Sequence, residues 1–246
     1  MQSMNNLKDS GFLILMPLSN IELYYSPKEQ ISNEIVSLTG EDFKHAVKVM
    51  RNNVGDTLYL TDGVGSIFKT EISSVENNAV YSRIIETIKT KNKFENIFFC
   101  IPKLKSPNRF KFAIEKCVEL GVTNFIIFES TRTIAKGNNI ERWEKIALAA
   151  MKQSLRAYFP KINLVKNISD VAESKGEKII FEQNAERKFQ FKDVMDKKFY
   201  FIFGPEGGLT ENEIKLFDTK NIYSLSDHRL RSETAIVKVA STINSL

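Results

Sequence analysis

Cysteine and histidine are nearly missing from this sequence: of 246 residues, only Cys100, Cys117, His45 and His228 belong to those two types. Two thiols cannot frame a disulfide-stapled fold, and with two imidazoles they make no convincing zinc site. A reducing, cytoplasmic setting with no metal is therefore expected. Long apolar runs are missing too, since no stretch approaches the roughly 20 residues that a membrane span needs. The run from Gly11 to Leu18 has no basic cluster before it and no small-x-small site after it, so it does not read as a signal peptide. A start assigned too early explains it better, with Met16 as the true first residue and 1–15 surplus. Glycine and proline are sparse, at 11 and 6, and no repeat or low-complexity tract occurs, which leaves an ordinary globular composition.

Several signatures of chemistry are missing as well. There is no Gly-x-x-x-x-Gly-Lys-Ser/Thr phosphate loop and no Gly-x-Gly-x-x-Gly dinucleotide fingerprint. Neither Gly-x-Ser-x-Gly nor His-Glu-x-x-His occurs, which weakens hydrolase and metalloprotease readings. The excess of one charge is small: 35 Lys and Arg against 30 Asp and Glu give +5 and a pI near 9.0. That balance suits a protein that meets a polyanion and equally suits an ordinary basic cytosolic protein.

What is present divides into two grammars. Residues 21–90 are rich in strands: Asp56–Leu60 and Ser66–Val75 flank an Asp-Gly turn at 61–65, and Val80–Ile88 alternates again. One helix is predicted over Glu41–Arg51, with Phe43, Ala46, Val47 and Met50 on a single face. Small strands with one helix predict a compact barrel. The charged stretch Lys89–Phe94 then marks a boundary. Beyond it, apolar strands (Ile97–Ile101, Phe125–Phe128, Lys178–Phe181, Phe199–Phe203, Ile222–Leu225) alternate with helical stripes. Phe110, Ala113, Ile114 and Cys117 form one stripe, closed by Gly121 as C-terminal cap; Trp143, Ile146, Ala147, Ala150 and Met151 form another. Such alternation predicts an α/β domain with a parallel sheet covered on both faces.

Two loops in the last 45 or so residues draw attention. Phe199–Phe203 runs straight into Gly204-Pro-Glu-Gly-Gly208, where glycine lets backbone groups approach a ligand without a Cβ in the way. Thr210-x-x-Glu213 then has the form of a capping box. A tight loop at the carboxyl end of a parallel strand is where α/β sheets bind ligands. The second loop, Leu225–Arg231, carries Arg229, Arg231 and His228 just before a helix with Ser232 as N-cap, Glu233 in its first turn, and Ile236, Val239, Ala240 and Ile243 as its buried stripe. A lone surface arginine is usually solvated, but two such loops on successive strands point to one shared site.

These segments together resemble the bacterial 16S ribosomal RNA (uracil-N3)-methyltransferase family, a branch of the knotted SPOUT methyltransferases. The signatures are Gly204–Gly208 with the following Glu211-x-Glu213, and Leu230-Arg-Ser-Glu-Thr-Ala235. In the same order come Glu115-Lys-x-x-Glu-Leu-Gly-Val122, Arg142-Trp143 and Gln153-Ser-x-Arg156. Near the start stand His45 with Val49-Met-Arg51, Gly55-Asp56 and Asp62-Gly63. The resemblance covers about residues 21–244. Where the family usually has a Gly-Pro-Arg-like stretch, this chain has Ser226-Asp227-His228.

The resemblance implies a PUA-like β-barrel RNA-binding domain at 21–90 and a SPOUT α/β domain at 91–246 whose end threads a deep trefoil knot, after an N-terminal extension at 1–20. It implies S-adenosylmethionine bound among three loops, at Phe181, Gly204, Pro205, Glu206, Gly207, Gly208, Leu225, Ser226, Leu230, Arg231 and Thr234. The substrate would be N3 of a uridine in 16S RNA of the small subunit, and the enzyme a cytoplasmic homodimer. Loss of the N3 proton leaves a delocalised anion that a guanidinium suits, which makes Arg231 the first candidate to stabilise it. Glu206, Glu233 and His228 are candidate bases, with loop-holding and helix-capping as alternative roles for the two carboxylates. Lys44, Lys48, Arg51, Arg132 and Arg156 are candidate RNA contacts. The rivals are a related RNA methyltransferase acting on a ribose 2′-hydroxyl or on transfer RNA, and a non-catalytic ribosome-assembly protein.

Overall fold

The computed structural model describes residues 21–32, 34–135, 137–190 and 197–244. The expected start at Met16 and the 1–20 extension lie outside them. Contacts divide the chain into two compact units. The first takes the residues up to Asn92 together with Lys152–Phe159, and the second takes Lys93–Met151 with Pro160–Leu246.

In the first unit, β1 (Leu23–Tyr25), β2 (Ile35–Thr39), β3 (Thr57–Thr61), β4 (Ser66–Val75) and β5 (Ala79–Lys89) form a sheet in the order β1-β3-β4-β5-β2. All pairs are antiparallel except β1 with β3. Register shifts between β4 and β5 at Lys69/Thr70 and Ile72/Ser74 bend the ladder. The two edges then meet, where the Ser26 hydroxyl donates to Ser37 O at 2.8 Å. Alternate residues point inward, so Val36, Leu38, Leu58, Leu60, Ile72 and Val80 make a dry interior that Phe43 and Ala46 plug from one end. The Asp-Gly turn forms as expected, with Asp62 Oδ1 accepting from the Val64 and Ser66 N–H groups. Gly65 sits at φ +117, and a Cβ there would collide with the Tyr158 hydroxyl. Residues 157–159 dock on this turn: Gly65 N–H donates to Ala157 O, and Phe159 N–H to Gly63 O.

The helix predicted over Glu41–Arg51 is interrupted. It runs as α1 (Gly40–Lys44) and then widens into a π-helical turn over His45–Val49. The Met50 N–H reaches His45 O, five residues back, and the Asn52 N–H reaches Ala46 O. A π-turn adds a residue per turn and rotates the next side chains off the helical face. Phe43 and Ala46 therefore stay buried while Met50 is exposed, and Arg51 leaves the helix altogether at φ +59.

The second unit is built on a parallel six-stranded sheet, in the order β11-β9-β10-β6-β7-β8. Its strands are β6 (Ile97–Pro102), β7 (Asn124–Phe128), β8 (Lys161–Leu164), β9 (Glu177–Phe181), β10 (Phe199–Phe203) and β11 (Ile222–Tyr223). The last is shorter than the predicted Ile222–Leu225. Every residue of β7 and β10 is buried, as a strand covered on both faces requires. One face stacks Phe99, Phe181, Phe201 and Phe203, whose ring centroids lie 5.0–5.9 Å apart. The other packs Cys100, Ile126, Phe128, Ile180 and Ile202 against Ile168 and Val171 of α4 (Ile168–Ala172).

Among the helices, α2 (Pro107–Glu119) starts with Ser106 as N-cap and Pro107 in its first turn. It ends at Gly121 (φ +96), where Val122 N–H returns to Cys117 O. Helix α3 covers Ile140–Gln153, and α5 (Glu211–Ile214) opens on the complete Thr210–Glu213 capping box. Helix α6 (Ser232–Asn244) packs on α2 and β10, burying Ile236, Val239, Ala240 and Ile243. Ser232 is the first residue of α6 rather than its cap, because its hydroxyl is drawn away to donate to Gly204 O (3.0 Å). Among the described residues no helix is long and apolar enough to cross a membrane.

Candidate functional site

A parallel sheet collects its loops at the carboxyl ends of its strands, and those after β9, β10 and β11 enclose a cavity of about 800 Å3. The first contributes Phe181–Gln183 and the second Phe203–Gly208. The third contributes Leu225, Ser226 and Arg229–Ser232, while Arg109 reaches in from α2. The volume falls within the roughly 300–1,000 Å3 typical of small-molecule sites.

The glycine loop is tight. Gly208 N–H donates to Pro205 O at 2.8 Å, and Gly208 adopts φ +71, a conformation costly for any residue with a Cβ. A Cβ on Gly204 would stand 3.2 Å from Gly208 Cα and 3.3 Å from Leu209 N. Three neighbours hold this loop. Ser232 donates to Gly204 O, as above. The Arg132 guanidinium donates to Gly207 O (2.7 Å) and Leu209 O (3.4 Å). Glu206 Oε1 accepts from the Lys105 N–H at 3.0 Å.

Below the loop, buried Glu213 joins two segments. Its Oε2 accepts from Thr210 N (2.7 Å) and Oγ1 (2.9 Å), and its Oε1 from Thr131 N (2.7 Å) and Oγ1 (3.2 Å). Burial alone would raise this carboxyl, but the donors of Thr210 and Thr131 outweigh it and hold the acid below its ordinary value.

The third loop is fixed at its start and open at its mouth. Lys238 of α6 donates to Leu225 O at 2.6 Å, and Leu230 N–H approaches Gln183 Oε1 at 3.4 Å. Ser226 Oγ accepts from His228 N–H (3.1 Å), and Asp227 pairs with Lys188 (2.8 Å). Asp227 and His228 are exposed and do not line the cavity. Arg229 and Arg231 are exposed at its mouth. Glu233 is buried behind them with Oε1 3.5 Å from Arg109 Nε, and its Oε2 has no hydrogen-bond partner. Glu233 thus touches the cavity through Arg109 rather than lining it.

The structure gathers Phe181, Gly204–Gly208, Leu225, Ser226, Leu230 and Arg231 around one space. Thr234 is exposed on the first turn of α6 and is not among the lining residues. The basic residues scatter. Lys44, Lys48 and Arg51 are exposed on the first unit, with Lys44 paired to Glu41 at 2.7 Å. Arg132 is committed to the glycine loop. Arg156 is half-buried in the first unit, where burial lowers its guanidinium from the ordinary value. Sequence reasoning passed over Arg109, Gln183 and Lys105, whose partners stand far along the chain, and Lys238, whose partner Leu225 O is a carbonyl 13 residues earlier. Glu213 was visible as half of a capping box and within the Glu211-x-Glu213 signature, but not as a partner of Thr131. Among the described residues no cluster of three or more His, Cys, Asp or Glu could hold a metal.

The site therefore offers apolar side chains (Phe181, Leu225, Leu230) beside the main chain of the glycine loop, with the guanidinium groups of Arg109, Arg229 and Arg231 in its lining. That combination suits a flat heteroaromatic ligand and an anionic second reactant.

Comparison with known proteins bears on this geometry. An RNA methyltransferase domain matches residues 90–244, and an RNA methyltransferase PUA domain matches 38–85. The chain is 28% identical over 237 residues to ribosomal RNA small subunit methyltransferase E of Bacillus subtilis, covering 88% of this chain and 93% of that protein. To the protein of that name from Mesomycoplasma hyopneumoniae it is 33% identical over 170 residues, covering 65% and 74%. The crystal structure of ribosomal RNA small subunit methyltransferase E from Neisseria gonorrhoeae bound to S-adenosyl methionine superposes with a TM-score of 0.81. There the identity is 25%, with 92% of this chain and 97% of the other covered.

Proposed function

The chain belongs to the RNA methyltransferase family, and we propose that it transfers the methyl group of S-adenosylmethionine to N3 of a uridine in 16S ribosomal RNA. The observation that carries this is the three-loop cavity, and the Neisseria relative with S-adenosyl methionine bound supports it. The residues fit the cofactor: the glycine loop brings main chain to the cavity wall, while Phe181, Leu225 and Leu230 offer apolar surface for a purine. Pro205, Glu206, Gly207, Ser226 and Arg231 complete the lining, with Thr234 at the edge of the same helix turn. S-adenosylmethionine, when bound, supplies an electrophilic methyl group on a sulfonium.

The protein's own work is to orient the uracil and stabilise its anion. N3–H must lose its proton before the nitrogen attacks. Glu206, the candidate carboxylate among the cavity's lining residues, accepts it. Glu233 instead holds Arg109 at the cavity wall. Arg231 faces the negative charge that spreads onto the two carbonyl oxygens. Lys44, Lys48 and Arg51 grip phosphates with the barrel, in a domain of residues 21–90, and Arg156 adds to that basic surface. Arg132 holds the cofactor loop through Gly207 and Leu209 in the second domain, residues 91–246. The enzyme works in the cytoplasm as a homodimer, as the resemblance implies. Its chain end threads a deep trefoil knot, as the resemblance also implies. The order β11-β9-β10 and the bonds from Ser224 N–H to Arg187 O and from Phe189 N–H to Ser224 O support that reading.

Nucleoside mass spectrometry of 16S RNA from a deletion strain, with and without the restored gene, tests the proposal. We expect 3-methyluridine to vanish and return. Its persistence in the deletion strain, or loss of a 2′-O-methyl nucleoside instead, refutes the N3 assignment.

A further inference from the structure

Beside the three-loop cavity lies a second, of about 320 Å3, walled by some of the same segments. Arg109 of α2 lines the first cavity while Pro107 and Phe110, in the same helix start, line the second. The segment before α2 binds the glycine loop through Lys105 and Glu206, and Lys103 from that segment walls the second cavity. The loop after β7 likewise holds Gly207 through Arg132, then reaches the second cavity. The two spaces are thus neighbours by construction.

The lining of the second cavity has a particular chemistry. Trp143 and Phe110 form an aromatic side, with ring centroids 4.9 Å apart, and Ile146 extends it. Asn138 brings an amide that can donate and accept, and exposed Arg142 stands at the rim. Lys103 is buried, its ammonium held by Glu129, so its stem serves as wall. Among the described residues that line it, none is acidic.

We propose that this cavity receives the base of a nucleotide flanking the target in single-stranded RNA, and so helps to choose which uridine enters the neighbouring site. The inference rests on reading the chain as an RNA methyltransferase. Unstacked bases are recognised by stacking on aromatic rings and by hydrogen bonds to their edges, which are the groups that Trp143 and Asn138 present. A guanidinium at the rim suits the phosphate that joins this base to the target. The volume lies at the lower end for small-ligand sites, enough for one base and too little for a second cofactor.

Trp143 is the only tryptophan in the chain, so its fluorescence reports on this cavity alone. The full-length protein is titrated with a short single-stranded oligoribonucleotide bearing a central uridine, and with the same strand made abasic at the flanking positions. Binding is followed in parallel by anisotropy of a label on the RNA. The intact strand should quench Trp143 saturably and the abasic strand should not. Trp143→Ala should weaken RNA binding by about 5- to 150-fold, the contribution of stacking one base. Trp143→Phe should retain most of the affinity. Asn138→Ala, in a loop outside the core, should raise KM for the RNA with kcat and cofactor affinity unchanged. Unchanged emission together with unchanged KM in Asn138→Ala and Trp143→Ala overturns the proposal. Emission that tracks protein concentration rather than RNA overturns it as well, and assigns the cavity to a second copy of the chain. A wild-type protein that neither binds S-adenosylmethionine nor methylates small-subunit RNA would sink the methyltransferase reading instead. Binding and methylation with a silent Trp143 would sink only the subsite.

Discussion

Replacing Glu213 by glutamine tests whether the glycine loop is held from beneath. The carboxylate accepts four hydrogen bonds, two from Thr210 and two from Thr131, in a buried position. Glutamine keeps the shape but has one acceptor oxygen, and its amide N–H groups would face the N–H of Thr210 or of Thr131. About two charge-assisted bonds are lost, each contributing roughly 1.5 kcal/mol net, so the variant should lose about 3 kcal/mol. For a chain of this size that lowers the midpoint of thermal unfolding by roughly 6–12 °C. The pH dependence gives a second readout. The folded acid is held below its ordinary value, so its contribution is fully present above the unfolded pKa of about 4.3 and disappears as pH falls through the folded value. Wild type should therefore lose stability more steeply than Glu213→Gln as pH drops below about 4.3. Differential scanning calorimetry between pH 3 and 7 (roughly the span over which carboxylates titrate) measures both effects. A midpoint within about 1 °C of wild type, or parallel pH profiles for the two proteins, refutes the latch.

The same geometry sets three further expectations. Arg231→Ala should keep S-adenosylmethionine binding by calorimetry yet lower kcat by about 100- to 1,000-fold, as expected for removal of one group that stabilises a developing anion; unchanged turnover removes Arg231 from the mechanism. Gly204→Ala brings a Cβ within 3.2 Å of Gly208 Cα and 3.3 Å of Leu209 N, so the turn's backbone must give by a few tenths of an ångström; cofactor affinity should fall about tenfold, near 1.4 kcal/mol, while the fold persists by circular dichroism. Arg109→Ala leaves the Glu233 carboxylate buried beside α2 without its cation; because Arg109 is itself 40% exposed, the loss should be about 1–2 kcal/mol in urea unfolding. Adding Glu233→Gln should recover much of that loss, and a double variant no more stable than Arg109→Ala would show that the pair carries no charge coupling.

The parts legible in the sequence are those decided within a few residues. Phe199–Phe203 reads as a buried strand because every position is apolar, and it is one. The Thr210–Glu213 box, the Asp62 turn and the Gly121 cap each close hydrogen bonds over two to five positions, so their pattern survives in any context. The segment 41–51 departs from its expected single helix for a reason of the same scale. Its apolar spacing fits 3.6 residues per turn as far as Ala46 and Val47, and nothing local announces the π-turn that turns Met50 outward.

The sequence by itself determined the alternation of strands and helices, the caps, and the two strand-end loops with their glycines and arginines. Tertiary structure decided what each polar group meets. Ser232 turns from capping its own helix to the carbonyl of Gly204, and Arg132 spends its guanidinium on Gly207 and Leu209. Glu233 is buried against Arg109, more than a hundred positions earlier in the chain, and residues 152–159 join the first unit across an intervening domain. A guanidinium reads the same in sequence whether it faces phosphate, carboxylate or carbonyl. Its partner is set by which element packs opposite, and in a parallel sheet with order β11-β9-β10-β6-β7-β8 those elements come from distant parts of the chain.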